Sequence, residues 1–319
     1  MLRTSLCDLL GIQHPIVLAG MGGVSMHRLV AAVSNAGGLG VIGAATLDAH
    51  GLRQEIRKTR ELTDKPFAVD LLAPIPEMIR PQMQVVFDEG VSIFVAGLAV
   101  PQEFIAEMHE RGMLVMVMIG KVRHAVKAAQ AGADIVAAQG TEAGGHTGEI
   151  GALALVPQVV DAVRVPVLAA GGIADGRQLV AALALGAQGV IVGTRFIATP
   201  EAQAAPQYRE AILHSGEADT VRTRCYTGKP ARTIRNTYND EWERKTDQIQ
   251  PFPMQVLHSM QAGVMDYMGV AGGADAERSF MPAGQGMGLI RSLKPAAEVM
   301  TDLLAEAEAA LTGLVRRPT

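Results

Sequence analysis

With 319 residues the chain is long enough to bury a sizeable core, either as two ordinary domains or as one large barrel carrying an insertion. Its 28 basic and 32 acidic residues leave a formal charge of -4, so there is no basic excess to favour nucleic acid or an anionic membrane surface as a partner. Two cysteines, Cys7 and Cys225, without paired spacing, argue against a disulfide framework or a zinc site and read as buried thiols in a reducing compartment.

The opening MLRTSLCDLLG has no sustained apolar stretch and carries Asp8, so it does not read as a signal peptide. No run reaches about 18 uninterrupted apolar residues, and no transmembrane helix is expected. A cytoplasmic enzyme acting on small molecules fits these features.

Short apolar runs that end in glycine or a polar residue predict eight strands. In chain order they are PIVLAG (15–20), GLGVIGA (38–44), PFAVDLL (66–72), VSIFVAG (91–97), MLVMVMIG (113–120), DIVAAQG (134–140), PVLAAGG (166–172) and GVIVGTRF (189–196). Between them lie amphipathic segments such as MHRLVAAVSNAG, LRQEIRKTREL, PQEFIAEMHERG, VRHAVKAAQAG, LVPQVVDAV and GRQLVAALALG, several closed by the glycine expected just past a helix end. Strands alternating with helices imply parallel pairing and right-handed crossovers. Eight such units in about 200 residues predict a (β/α)8 TIM barrel rather than an open doubly wound sheet. Gly38, Gly40 and Gly43 match the dinucleotide pattern GxGxxG, yet they lie along a predicted strand instead of at a strand-to-helix turn, so a Rossmann reading is set aside.

The alternation breaks after Thr199. Residues 206–280, with TRCYTGKPARTIRN, NDEWERKTDQIQPFP and the only Trp, are expected to form a smaller, mostly helical cap. The barrel then comprises 1–205 and 281–319. Within the cap, PFPMQVLHSMQAGVMDYMG reads as helical after its prolines, and its methionines as core. PAGQGMGLI (282–290) and a final helix, AAEVMTDLLAEAEAALTGLV, follow, the helix packing back on the barrel.

Such barrels bind ligands at the C-terminal ends of their strands and commonly hold phosphate on the loops after strands seven and eight. Gly171 and Gly172 let backbone N–H groups approach an anion, and Ile173 to Arg177 is expected to open a helix whose positive end faces it. Gly193 and Thr194 offer a further N–H and a hydroxyl after the eighth strand. AGMGG (19–23) ends the first strand with small residues that leave room for a flat ring. His146 follows the sixth strand amid Gly144, Gly145 and Gly148, where an imidazole can project into the barrel mouth as a general base or hydrogen-bond donor. Glu142 either orients it or caps the loop. His27, His50, His109 and His124 fall on predicted helices or their flanks, His14 at the barrel bottom, and His214 and His258 in the cap. No P-loop, HExxH, nucleophile elbow or metal-spaced carboxylate cluster occurs, and no metal is expected.

EAGGHTGE, VPVLAAGGIADG, LALGAQGVIVGTRF and the opening HPIVLAGM, in this order and spacing, resemble the flavin-dependent nitronate monooxygenases over essentially the whole chain, most specifically from 134 to 200. The resemblance implies a TIM barrel with a second α-rich domain and non-covalent FMN. It implies Gly20, Met21 and Gly22 near the isoalloxazine, Gln139, Gly144 and Gly145 against the flavin, and Gly171, Gly172, Gly193 and Thr194 on its phosphate. His146 takes the place of the family's catalytic histidine. The implied reaction is oxidation of an alkyl nitronate by O2 to a carbonyl compound and nitrite.

The same motifs resemble an FMN-dependent enoyl-acyl-carrier-protein reductase and an NADH:quinone reductase. An NAD(P)H-dependent reductase of an activated alkene or quinone is therefore the alternative, for which Lys229, Arg232 and Arg235 in TGKPARTIRN would supply cations for a pyrophosphate or phosphopantetheine. Two departures stand out. Asp70 occupies a flavin-side position where these relatives commonly carry Asn, and Met118 stands where the quinone reductases carry a Lys, making the flavin surroundings less electropositive. A flavin-binding scaffold without catalysis is a third reading, which nothing in the sequence favours.

Overall fold

Strands that are apolar on both faces need cover on both faces, which a parallel sheet wrapped by helices provides. The computed structural model describes residues 2–73, 76–266 and 275–315. Its barrel strands are β1 (Ile16–Leu18), β2 (Gly40–Gly43), β3 (Phe67–Leu72), β4 (Ile93–Gly97), β5 (Leu114–Ile119) and β6 (Ile135–Gln139). A two-residue β7 (Gly145–His146) intervenes before β8 (Val167–Ala170) and β9 (Gly189–Val192) complete the eight. The order around the sheet is β1-β9-β8-β6-β5-β4-β3-β2, all parallel. A parallel bridge between Val17 and Leu39 joins the two ends. The (β/α)8 barrel read from the sequence is borne out.

Side chains alternate across each strand, and this period of two sorts the core. Val17, Val41, Ala68, Val95, Met116, Ala137, Leu168 and Ile191 fill the barrel interior together with Leu6, Cys7 and Leu10 from the helix Ser5–Leu10. Their neighbours Ile16, Leu18, Ile42, Val69, Phe94, Val136 and Val190 face outward into the layer under the helices. Continuing the inward series toward the strand ends reaches Asp70 after Ala68, Met118 after Met116 and Gln139 after Ala137. The same alternation that builds the core therefore sets these three at its upper surface.

Differences from the expected elements have local causes. The eighth barrel strand stops at Val192, and Thr194–Ile197 already forms a short helix. The helix after β8 begins at Gly176 rather than Ile173, because Asp175 and Gln178 form a capping box there. Gly176 is also where the final helix, Ala296–Val315, crosses: a Cβ at that position would collide with the backbone of Leu303 and Ala307. A helix Pro76–Asp88 between β3 and β4, with Pro81 inside it, was not among the helical segments read from the sequence.

The segment after the barrel contains the helix expected after its prolines, Met254–Gln261, and also Pro206–His214 and Thr237–Glu243; the last runs into NDEWERKTDQIQPFP, which reads as a loop in the sequence, because Asn236 and Asn239 form a capping box there. It adds two strands that the mostly helical reading lacked. They are β10 (Thr220–Thr223) and β11 (Ala231–Ile234), antiparallel to each other, with β7 pairing on the far side of β11 through Ala231–His146 and Arg232–Gly145. Tyr226 anchors a small aromatic core, its ring 5.1 Å from Tyr238 and 4.7 Å from Phe280. Tyr267, Met268 and Gly269, the end of the helical run expected here, lie outside the described residues. Among the described residues no helix is long and apolar enough to cross a membrane.

Candidate active site

A cavity of about 590 Å³ opens at the C-terminal ends of the barrel strands, roofed by the segment after the barrel. Every site residue read from the sequence lines it. Gly20, Met21 and Gly22 come from the loop after β1, Asp70 from β3, and Gln139 from β6. Gly144, Gly145 and His146 come from the loop that includes β7, Gly171 and Gly172 from the end of β8, and Gly193 and Thr194 from the end of β9. The remaining walls are mostly apolar, with Leu72, Leu98, Met118 and Ile197 from the barrel and Phe252, Val256 and Leu257 from the roof.

Two titratable groups on this cavity are moved in opposite directions by the same physical cause. Asp70 is surrounded by barrel interior, its Oδ1 is sealed from solvent without a hydrogen-bond partner among the described residues, and burial pushes its carboxyl up to about 8. At neutral pH it is a neutral acid that can both donate and accept. Gly20 makes this possible, since a Cβ there would collide with the Asp70 carboxyl. His146 is pulled down to about 4, first by burial and then by the charge of Lys229, so its imidazole is neutral. Its Nε2 lies 3.0 Å from Thr227 Oγ1.

The loops after β8 and β9 form a turned backbone at the cavity wall. Gly171 and Gly172 have φ of +101° and +72°, which only glycine adopts readily. Thr194 Oγ1 accepts the Gly284 N–H at 3.0 Å, leaving its own proton available. The start of the helix Gly176–Ala184 does not serve an anion, contrary to expectation. Asp175 accepts the Arg177 N–H at 3.0 Å, and Glu306 Oε2 accepts the Gly176 N–H at 2.9 Å, so two carboxylates of the protein already occupy that positive end. The polar groups available to a phosphate are those of the Gly171–Gly172 turn, Gly193 and Thr194.

Glu142 is a cap. Both its carboxylate oxygens take the Ala152 N–H at 3.0 Å, at the start of the helix Ala152–Ala162. The three cations of the TGKPARTIRN stretch separate. Lys229 lies with Nζ 4.7 Å from the Phe252 ring centroid, whereas buried Arg232 donates to Thr141 O at 2.9 Å and Thr220 Oγ1 at 3.0 Å. Arg235 pairs with Asp240 at 2.8 Å on the surface. Among the remaining histidines, His27 meets Glu55 at 2.7 Å, His109 meets Asp134 at 3.1 Å, and His258 packs edge-on against Trp242.

The sequence reading missed the roof residues Thr227, Phe252, Val256 and Phe280, and also Gly284 and Gly286. The glycines carried a signal in PAGQGMGLI. A Cβ on Gly286 would collide with the Gly172 carbonyl, and one on Gly284 would lie 2.7 Å from Glu142 O. Thr227 carried none, being 81 residues from the histidine it touches.

The model of the nitronate monooxygenase family matches residues 3–306. Among individual proteins, the (3aS,4S,5R,7aS)-5-hydroxy-7a-methyl-1-oxo-octahydro-1H-indene-4-carboxyl-CoA dehydrogenase of Rhodococcus jostii is 45% identical over 233 residues, covering 73% of this chain and 66% of that relative. A probable nitronate monooxygenase of Staphylococcus saprophyticus is 38% identical over 300 residues, covering 80% of this chain and 84% of its own. Of solved structures, FabK from Thermotoga maritima superposes with a TM-score of 0.90 at 37% identity, over 99% of both chains. The nitroalkane oxidase from Streptomyces ansochromogenes gives 0.88 at 34%, over 98% of this chain and 100% of that one. The cavity at the barrel mouth thus belongs to an oxidoreductase, and the chain is a member of the nitronate monooxygenase family.

Proposed function

We propose that the protein is an FMN-dependent oxygenase that uses O2 to convert an alkyl nitronate to a carbonyl compound and nitrite. One observation carries this reading: a neutral imidazole, His146, lines the same apolar barrel mouth as the Gly171–Gly172 turn and Thr194. The residues fit FMN. An unpartnered buried polar atom costs about 1–3 kcal/mol, and Asp70 Oδ1 is such an atom on the cavity wall, matched to a ring edge that offers both donors and acceptors. The turned backbone at Gly171 and Gly172, with the Thr194 hydroxyl, suits the phosphate.

When bound, FMN supplies the electron acceptor. The chain's own residues do the rest. His146, unprotonated at neutral pH, accepts the α-proton of a neutral nitroalkane and then, as the imidazolium, donates a hydrogen bond to the oxygens of the nitronate so formed. Leu72, Leu98, Phe252 and Val256 keep water from the mouth, which strengthens that hydrogen bond. His146→Ala is expected to lower kcat/KM for a neutral nitroalkane by about 10²–10⁴-fold with flavin content unchanged. Undiminished turnover would take His146 out of the mechanism.

The alternative, an NAD(P)H-dependent reductase of an enoyl thioester or quinone, draws support from the extended apolar roof and from Lys229 beside Phe252. Against it, Arg232 and Arg235 are engaged elsewhere.

A further inference from the structure

His146 is held by the roof rather than by its own loop. Its backbone pairs with Ala231 of β11, and its Nε2 meets Thr227 Oγ1. That hydroxyl is already engaged twice, donating to Lys229 O at 3.1 Å and accepting the Lys229 N–H at 3.3 Å. A hydroxyl has one proton and two lone pairs. With the proton on Lys229 O and one lone pair on the Lys229 N–H, the hydroxyl offers the imidazole a lone pair, an arrangement in which Nε2 is the donor. The turn that imposes this is firmly seated. Gly228 has φ of +79°, a Cβ on it would lie 2.5 Å from Gln250 O, and the Lys229 ammonium rests on the Phe252 ring.

We propose that Thr227 is a positioning residue that fixes His146 as the Nε2-protonated tautomer and leaves Nδ1 as the base that takes the substrate's α-proton. This rests on the reading of His146 as the base. Nδ1 has no hydrogen-bond partner among the described residues. In the step, the substrate Cα–H bond breaks, its electron pair stays on the substrate as the nitronate anion, and the proton moves to Nδ1. The resulting imidazolium keeps its Nε2–H on Thr227. The reverse tautomer would require Thr227 to withdraw its proton from Lys229 O.

The first test is 15N NMR of the histidine-labelled protein as purified, with the His146 signals assigned by their loss in His146→Asn. A pyrrole-type Nε2 and a pyridine-type Nδ1 at neutral pH are expected. A protonated Nδ1 would overturn the proposal, whatever the folding of any Thr227 variant. The second is nitroalkane turnover by Thr227→Val, expected to lose up to about a hundredfold in kcat with KM within about twofold, while Thr227→Ser retains most of the rate. A wild-type kcat in Thr227→Val would also overturn it. Failure of the base reading is separately visible, as undiminished turnover in His146→Ala, because the tautomer is read without substrate.

Discussion

Asp70 and His146 show how one environment sets two opposite protonation states. Removing water disfavours whichever form is charged, so the carboxyl rises and the imidazole falls, and both are neutral at pH 7. For Asp70 this has a consequence for stability. Its carboxyl is held at about 8 in the folded protein against an ordinary value of 3.8, so between these values the folded state binds one proton more than the unfolded state. Stability contributed by this group is therefore full below pH 4 and falls as pH rises, by about 1.4 kcal/mol per unit, until it levels off near pH 8. Asp70→Asn has no proton to lose. Denaturant unfolding of both proteins from pH 5 to 8 is expected to show the variant gaining on the wild type at about that slope, and parallel curves would mean that Asp70 is ionised in the fold. The identity of Asp70 as a departure from its relatives was legible in the sequence. Its protonation state was not, because that depends on barrel packing around it.

At the scale of elements, the cavity depends on loops that touch at glycine. Gly286 passes so near Gly172 that a side chain there must push the turn after β8 out of place. If that turn holds the FMN phosphate as proposed, Gly286→Ala is expected to weaken FMN binding by roughly tenfold, about 1.4 kcal/mol, with turnover restored by excess FMN. An unchanged dissociation constant, measured by fluorescence titration, would detach that turn from the phosphate. The barrel strands were readable because apolar runs bounded by glycine repeat at regular intervals, whereas Asp70, Met118 and Gln139 came from the family resemblance and the structure sets them inward through the period of two. β10 and β11 were not readable. Four-residue strands rich in Thr and Arg have no apolar alternation, and β11 exists as a strand because β7 and β10 flank it. The start of helix Gly176–Ala184 was misjudged as an anion site, since the sequence shows Asp175 but not Glu306 reaching over from the final helix.

At the scale of the molecule, the barrel supplies the floor and the turned loops, and the segment after it supplies the histidine's partner and the apolar roof. His146 joins the two, belonging to a barrel loop by sequence and to the β10–β11 sheet by pairing. This arrangement explains why the candidate site was largely visible in short motifs while Thr227 was not: motifs record loops of the barrel, and the roof reaches them only through the fold. The cations of TGKPARTIRN illustrate the reverse error, since three neighbours in sequence face three different surroundings.

On the proposed reading this mouth oxidises a nitronate rather than taking hydride from a nicotinamide. Anaerobic mixing of the purified protein with an alkyl nitronate and, separately, with NADH or NADPH, followed through the flavin absorbance, tests it most directly. A prompt one-electron change with nitronate and none with pyridine nucleotide is the predicted result. Rapid two-electron bleaching by NADH or NADPH, with nitronate inert, would contradict it.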